Sequence, residues 1–177
     1  MQRSAEIQRL FFALWPTDEV RADIAEVRSE LEGLAGRPVA LEQIHQTLLF
    51  VGNADAVTRL CMEAAASEVT TVAFTLCLDR LGHWSKPQVC WLGASTTPPA
   101  LSELAEHLRR GAQACGVQVE RRPFAVHLTL ARKVRRRPPL AESFSPVMWP
   151  IHEFVLVVSR LRPTGPEYEI VRRWVLA

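Results

Sequence analysis

Two short segments of the chain echo each other: Ile44-His45-Gln46-Thr47-Leu48 and Val126-His127-Leu128-Thr129-Leu130. Each is a β-branched residue followed by His-x-Thr-Leu, one copy in each half of the sequence. A single copy would read as a strand histidine beside a β-favouring threonine; the repetition is what points to chemistry. In a strand, residues i and i+2 share a face. His45 therefore projects with Thr47 and His127 with Thr129, while Gln46, Leu48, Leu128 and Leu130 turn the other way. Two imidazoles on opposite sides of one substrate suit general acid–base catalysis, the neutral one taking a proton from the nucleophile and the protonated one giving a proton to the leaving group. An unperturbed imidazole titrates near pH ~6.5, so small shifts place the two in opposite states at neutral pH. The threonine hydroxyls can donate hydrogen bonds to the non-bridging oxygens of a phosphate. This scheme needs no metal and no other cofactor, and two histidines without a carboxylate at ligand spacing do not suit zinc. No serine lies in a nucleophile-elbow context, and no glycine-rich phosphate loop is present.

The elements that must carry these groups follow from hydrophobic periodicity. Residues 8–14 read as a strand closed by Trp15-Pro16, and Thr17 or Asp18 can cap a helix behind it. Val20, Ile24, Val27, Leu31 and Leu34 form its apolar stripe, and Gly36-Arg37-Pro38 stops it. Residues 44–51 read as a strand and 54–67 as a second helix. Strands over 72–78 and 89–93 flank a turn-rich connector, Gly82 to Pro87. A third helix fits 99–115, followed by strands over 126–131, 153–160 and 168–175. The stretch from Lys133 to Pro150, with Arg135-Arg136-Arg137, reads as a surface loop that can serve as a basic arm over an anionic ligand. Helices mixed with adjacent strand pairs predict an α+β fold with antiparallel pairing rather than a doubly wound parallel sheet.

Composition is that of a soluble protein: among 177 residues, 48% are hydrophobic and 23% charged, enough apolar surface to exclude disorder. No apolar run spans a bilayer and no signal-peptide pattern opens the chain, so a cytoplasmic monomer without membrane contact is expected. The net charge of +2 hides an asymmetry. Residues 1–108 carry 8 basic and 14 acidic side chains, and residues 109–177 carry 13 and 5. A basic half rich in arginine fits an anionic partner. Cys61, Cys77, Cys90 and Cys115 show no metal spacing and sit in apolar surroundings, which predicts buried free thiols and no disulfide.

The doubled His-x-Thr-Leu resembles the motif of the 2H phosphoesterase superfamily and, more narrowly, of the RNA 2′,3′-cyclic phosphodiesterases, the 2′-5′ RNA ligase family. The likeness runs through Arg9-Leu10-Phe11-Phe12-Ala13, His45 to Gly52, Cys90-Trp91-Leu92-Gly93, Arg122 to Arg132 and Ser159 to Tyr168. It implies one domain over residues 1–177, built of two interleaved lobes of antiparallel sheet with outer helices and a central cleft. It implies metal-independent opening of a terminal RNA 2′,3′-cyclic phosphate to a 2′-phosphate, with weak reverse 2′-5′ joining. His45 and His127 are then the acid–base pair, with His127 favoured as base and His45 as acid, and Thr47 and Thr129 bind the phosphate. Arg132 matches an arginine that neutralises phosphate charge. Strict alternation puts Arg132 on the face opposite His127, so it must lie at a strand end or a bulge. Leu49 stands where the family often has a basic residue. Phe11 and Phe12 point to opposite faces, and one of them is expected to stack on the terminal base. Two other substrate classes stay open: a small cyclic nucleotide or 2′-5′ oligonucleotide, and RNA bound without turnover.

Overall fold

Ten strands, three α-helices and one short 3-10 turn make up the computed structural model, which describes residues 7–31, 34–138 and 144–177. Strand β1 (Gln8–Leu14) is followed by α1 (Asp18–Ser29), where the Thr17 hydroxyl caps the helix by accepting from the Val20 amide. Val20, Ile24 and Val27 are buried as the stripe requires. The helix stops at Ser29, before the stripe ends, yet Leu31 beyond it is still buried. Next come β2 (Arg37–Pro38), a 3-10 turn (Leu41–Gln43) and β3 (Gln46–Ala54). Asp55 caps α2 (Ala56–Ser67) by accepting from the Thr58 amide at 2.8 Å. Strands β4 (Phe74–Leu78), β5 (Arg80–Trp84) and β6 (Val89–Gly93) lead to α3 (Pro99–Ala114), which opens on a proline whose missing N–H costs nothing there. Strands β7 (Leu128–Arg132), β8 (Val147–Ile151), β9 (Glu153–Arg162) and β10 (Gly165–Val175) complete the chain.

The fold class is α+β with antiparallel pairing. One sheet runs β10-β9-β1-β3-β7-β6-β5, with β2 beside β7, and a second sheet pairs β4 with β8. The central strands are buried on both faces. Leu10, Phe12 and Leu14 of β1, with Phe154, Leu156 and Val158 of β9, enter the main core under the helices. Phe11, Ala13, Val155 and Val157 form a small second cluster on the opposite face. Each fully buried aromatic or aliphatic side chain contributes on the order of 1.5–3 kcal/mol of transfer free energy. At the middle of the sheet β3 and β7 meet through one residue pair, Gln46 opposite Leu128.

Three expectations are corrected. The connector from Gly82 is not a turn until Ser85, because Gly82, His83 and Trp84 belong to β5. Gly82 serves close packing there: a Cβ on it would lie 2.0 Å from the indole of Trp91 across the hairpin. The stretch 133–150 is not wholly irregular, since β8 pairs with β4 in a clean alternation of buried Val147, Trp149 and Ile151. Pro150 disguised it, but an edge strand tolerates proline. Residues 139–143 lie outside the described residues. Finally, Cys61 and Cys115 are joined by a disulfide, with their Cα atoms 5.9 Å apart, while Cys77 and Cys90 are free. The bridge links α2 to the end of α3, which approach closely because Gly111 faces Ala65, with 2.7 Å from a Cβ on Gly111 to that of Ala65. A separation of 54 residues carries no signal in the sequence.

Closing a loop of that length constrains the unfolded chain by about 2–4 kcal/mol. Cys61→Ser is expected to lower Tm by roughly 5–15 °C, and reductant should do the same to the unaltered protein while leaving the Cys61→Ser variant unchanged. Thiol titration of the unfolded protein checks the bridge: two thiols without reductant and four with it.

Candidate functional site

His45 and His127 each sit one residue before the first residue of a strand, β3 and β7, so the pairing of Gln46 with Leu128 sets the two motifs side by side. Burial alternates as the sequence requires: Gln46, Leu48, Leu128 and Leu130 are buried, and His45, Thr47, Thr129 and His127 reach the other face. Both imidazoles are held alike. His45 Nδ1 lies 2.7 Å from the Gln43 carbonyl and His127 Nδ1 3.1 Å from the Ala125 carbonyl, each two residues upstream. A carbonyl can only accept, so each ring carries its proton on Nδ1 when neutral and leaves Nε2 for proton transfer.

The walls differ. His45 stacks on Trp15 at 5.0 Å and 6°, with Phe11 at 5.0 Å and the edge of Tyr168 at 5.2 Å. Among the described residues, His127 meets one ring, Trp84, edge-on at 4.7 Å, and Trp84 in turn rests on Trp91. This burial is the main reason that the His45 pKa is lowered to about 4; the Gln43 carbonyl works against it, and the charges of Arg132 and His127 add to it. His127 is also lowered, first by burial and then by Arg132, with the Ala125 carbonyl opposing. Burial pushes the Tyr168 hydroxyl up, and the charges of Arg132 and Arg9 partly offset it.

Arg132 reaches the histidines by the irregularity that alternation demanded. Across from the step between Cys90 and Trp91, β7 advances from Ala131 to Thr129, so Leu130 is an inserted residue. Leu130 and Ala131 are consequently both buried, the alternation resets, and Arg132 emerges exposed at the strand end. A cleft of about 1200 Å³ lies beside the motifs. Its lining includes Thr47, Leu49, Trp84 and His127, the arginines Arg109, Arg121 and Arg122, and the carboxylates Glu106 and Glu120, while His45, Thr129 and Arg132 do not line it.

The aromatic expectation is corrected. Phe12 is fully buried against Phe154 and Trp174, because its face of β1 is the core face. Phe11 does turn toward His45, but at 2% exposure it is a wall of the imidazole's box with no face left for a base. Exposed aromatic surface beside the cleft belongs to Phe50 and Trp84. Arg135, Arg136 and Arg137 are exposed, and the segment is tied to the β5–β6 hairpin through Val134, whose amide donates to the Gln88 carbonyl and whose carbonyl meets His83 Nε2. Sequence reasoning missed Trp15, which looked like a strand end, Tyr168, and Gln46. The last did leave a signal, as a polar side chain at an inward-facing position.

The sequence model of the 2′-5′ RNA ligase superfamily matches residues 16–162. The RNA 2′,3′-cyclic phosphodiesterase of Escherichia coli (strain K12) is 35% identical over 176 residues, covering 97% of this chain and 98% of that protein. The RNA 2′,3′-cyclic phosphodiesterase of Thermus thermophilus is 31% identical, covering 95% of this chain and 90% of its own length. The crystal structure of E. coli LigT complexed with 3′-AMP superposes with a TM-score of 0.86 at 34% identity, covering 97% of this chain and 99% of the other. With two His-x-Thr-Leu segments on adjacent strands and full-length relatives at this identity, the chain belongs to the 2′-5′ RNA ligase superfamily.

Proposed function

We propose that the protein hydrolyses the terminal 2′,3′-cyclic phosphate of RNA to a 2′-phosphomonoester, using His45 and His127 and no metal. The observation that carries this reading is the matched pair of imidazoles, each pinned at Nδ1 by its own upstream carbonyl so that both Nε2 atoms are left for chemistry. Water attacks phosphorus in line with the 3′ oxygen and loses a proton to His127 Nε2. The bond from phosphorus to the 3′ oxygen breaks, and His45 Nε2 delivers a proton to that oxygen, leaving the phosphate on the 2′ position. Thr47, Thr129 and Arg132 hold the non-bridging oxygens, where negative charge grows. The roles of the two histidines exchange when 2′-5′ ends are joined in reverse.

Electrostatics sets the order of events. With both pKa values below the ordinary imidazole value, both rings are neutral in the free protein at neutral pH. The phosphodiester monoanion brings the counter-charge that favours a proton on His45. The reading extends to RNA rather than a mononucleotide because the cleft beside the motifs is also lined by Arg109, Arg121 and Arg122. Arg109 is paired with Glu106 and Arg122 with Glu120, while Arg121 has no such ion pair among the described residues.

An RNA oligomer ending in a 2′,3′-cyclic phosphate, incubated in EDTA, should give a 2′-phosphate when compared by chromatography with 2′- and 3′-phosphate standards. His45→Ala and His127→Ala should each lose at least about 100-fold in turnover while staying folded. A 3′-phosphate product, or wild-type turnover in either variant, contradicts the scheme.

The sign of the pH dependence follows from the depressed values. Proton loss from a group with a lowered pKa occurs at lower pH, so kcat/KM should be bell-shaped with its maximum below the ordinary imidazole value of ~6.5. The kcat profile, which reports the complex, should lie at higher pH because the bound phosphate favours the imidazolium. A kcat/KM maximum above pH ~7 would be incompatible with two desolvated histidines.

The oligomer should be a better substrate than a cyclic mononucleotide, and its kcat/KM alone should fall steeply as salt is raised. Equal kcat/KM values with equal salt dependence would assign the enzyme to small cyclic phosphates instead.

A further inference from the structure

We infer that Gln46 is a positioning residue for His127, an inference that rests on the two-histidine reading above. Gln46 occupies the inward-facing slot between His45 and Thr47, where the second motif carries the buried leucine Leu128. It is 0% exposed, on the face away from the cleft, so it does not touch substrate. A carboxamide at such a position costs more to bury than a leucine unless its polar atoms are bonded, and here they are bonded to the parts that hold the catalytic ring.

Gln46 Oε1 accepts from the main-chain N–H of His127 at 2.7 Å. Gln46 Nε2 donates to the Thr47 carbonyl at 2.7 Å and to the Ala125 carbonyl at 3.5 Å. The Ala125 oxygen is the one that holds His127 Nδ1. The orientation of the amide is fixed by its partners, because the main-chain N–H requires an acceptor and the two carbonyls require donors. One side chain rooted in the first motif therefore grips the second motif at two points, the His127 backbone and the carbonyl that orients its ring. The strands offer no comparable hold, since β3 and β7 pair only at Gln46 and Leu128. Gln46 thus ties to the first motif both the His127 backbone and the carbonyl that fixes the tautomer of its ring.

Two substitutions test this on the full-length protein. Gln46→Met keeps the length and apolar bulk but removes every bond. It is expected to fold and bind, with KM little changed, and to lose roughly ten- to a hundredfold in kcat, the cost of a displaced catalytic group. Gln46→Glu separates positioning from packing. A protonated carboxyl can both accept and donate, as the amide does, whereas the ionised form can only accept and faces two carbonyl oxygens. Burial keeps that carboxyl protonated to higher pH than usual. Gln46→Glu should therefore approach wild-type kcat at low pH and lose it as pH rises, so that its alkaline limb falls at lower pH than the alkaline limb shared by the wild type and Gln46→Met. Wild-type kcat in Gln46→Met, even with a lowered Tm, overturns the inference, and so does a Gln46→Glu kcat profile that tracks the wild type at every pH. If Gln46→Met does not fold, the Gln46→Glu profile decides alone. His127→Ala measured alongside separates the two claims: an inactive His127→Ala beside a fully active Gln46→Met removes only the role of Gln46, whereas an active His127→Ala removes the two-histidine reading itself.

Discussion

A free imidazole can turn about two bonds and carry its proton on either nitrogen; the contact from Nδ1 to a carbonyl two residues upstream removes both freedoms at once. It recurs at His45 with Gln43 and at His127 with Ala125. Both carbonyls precede the strand that follows, so no ladder bond of β3 or β7 claims them. The aromatic surroundings of both rings are arranged around this contact. The aromatic box of Trp15, Phe11 and Tyr168 surrounds His45 in the orientation that the Gln43 carbonyl holds. Tight closure is what desolvates the imidazole and depresses its pKa.

The same economy governs Arg132. A regular strand would have directed Arg132 into the core, where an unpaired guanidinium is prohibitively costly to bury. One inserted residue in β7 turns two successive small or aliphatic side chains inward, Leu130 and Ala131, and returns the arginine to the face of the histidines. The field of Arg132 then reaches His45, His127 and Tyr168 together, lowering the proton affinity of each. The charge of Arg132 thus adds to burial, the larger cause, in holding both imidazoles below their ordinary pKa.

Much of this was legible in the residues themselves. Alternation placed His45, Thr47, His127 and Thr129 on one face, and it also demanded a break before Arg132. Strand β1, strand β6 and the helices were readable because their periodicity is local. What escaped depends on partners distant in sequence. Gly82 looks like a turn until Trp91 lies across it, and Pro150 looks like a loop until β8 is seen to be an edge. Cys61 and Cys115 look inert until α2 and α3 are packed together. Phe11 and Phe12 carried the right alternation and the wrong use, since periodicity tells which way a ring points but not whether the space in front of it is filled.

Gly82 has a further consequence for how this sequence can change over generations. The indole of Trp91 rests where a side chain at position 82 would stand, Trp84 leans on Trp91 at 5.3 Å, and His127 leans on Trp84 at 4.7 Å. At codon 82 any side chain would collide with the Trp91 indole, so this stack would have to shift, although the position does not itself touch His127. Leu49, half-buried at the cleft wall, is an aliphatic side chain packed against the main core and lies outside that column of rings. Drift in this protein is therefore constrained less by distance from the chemistry than by membership of the column of rings that ends on His127.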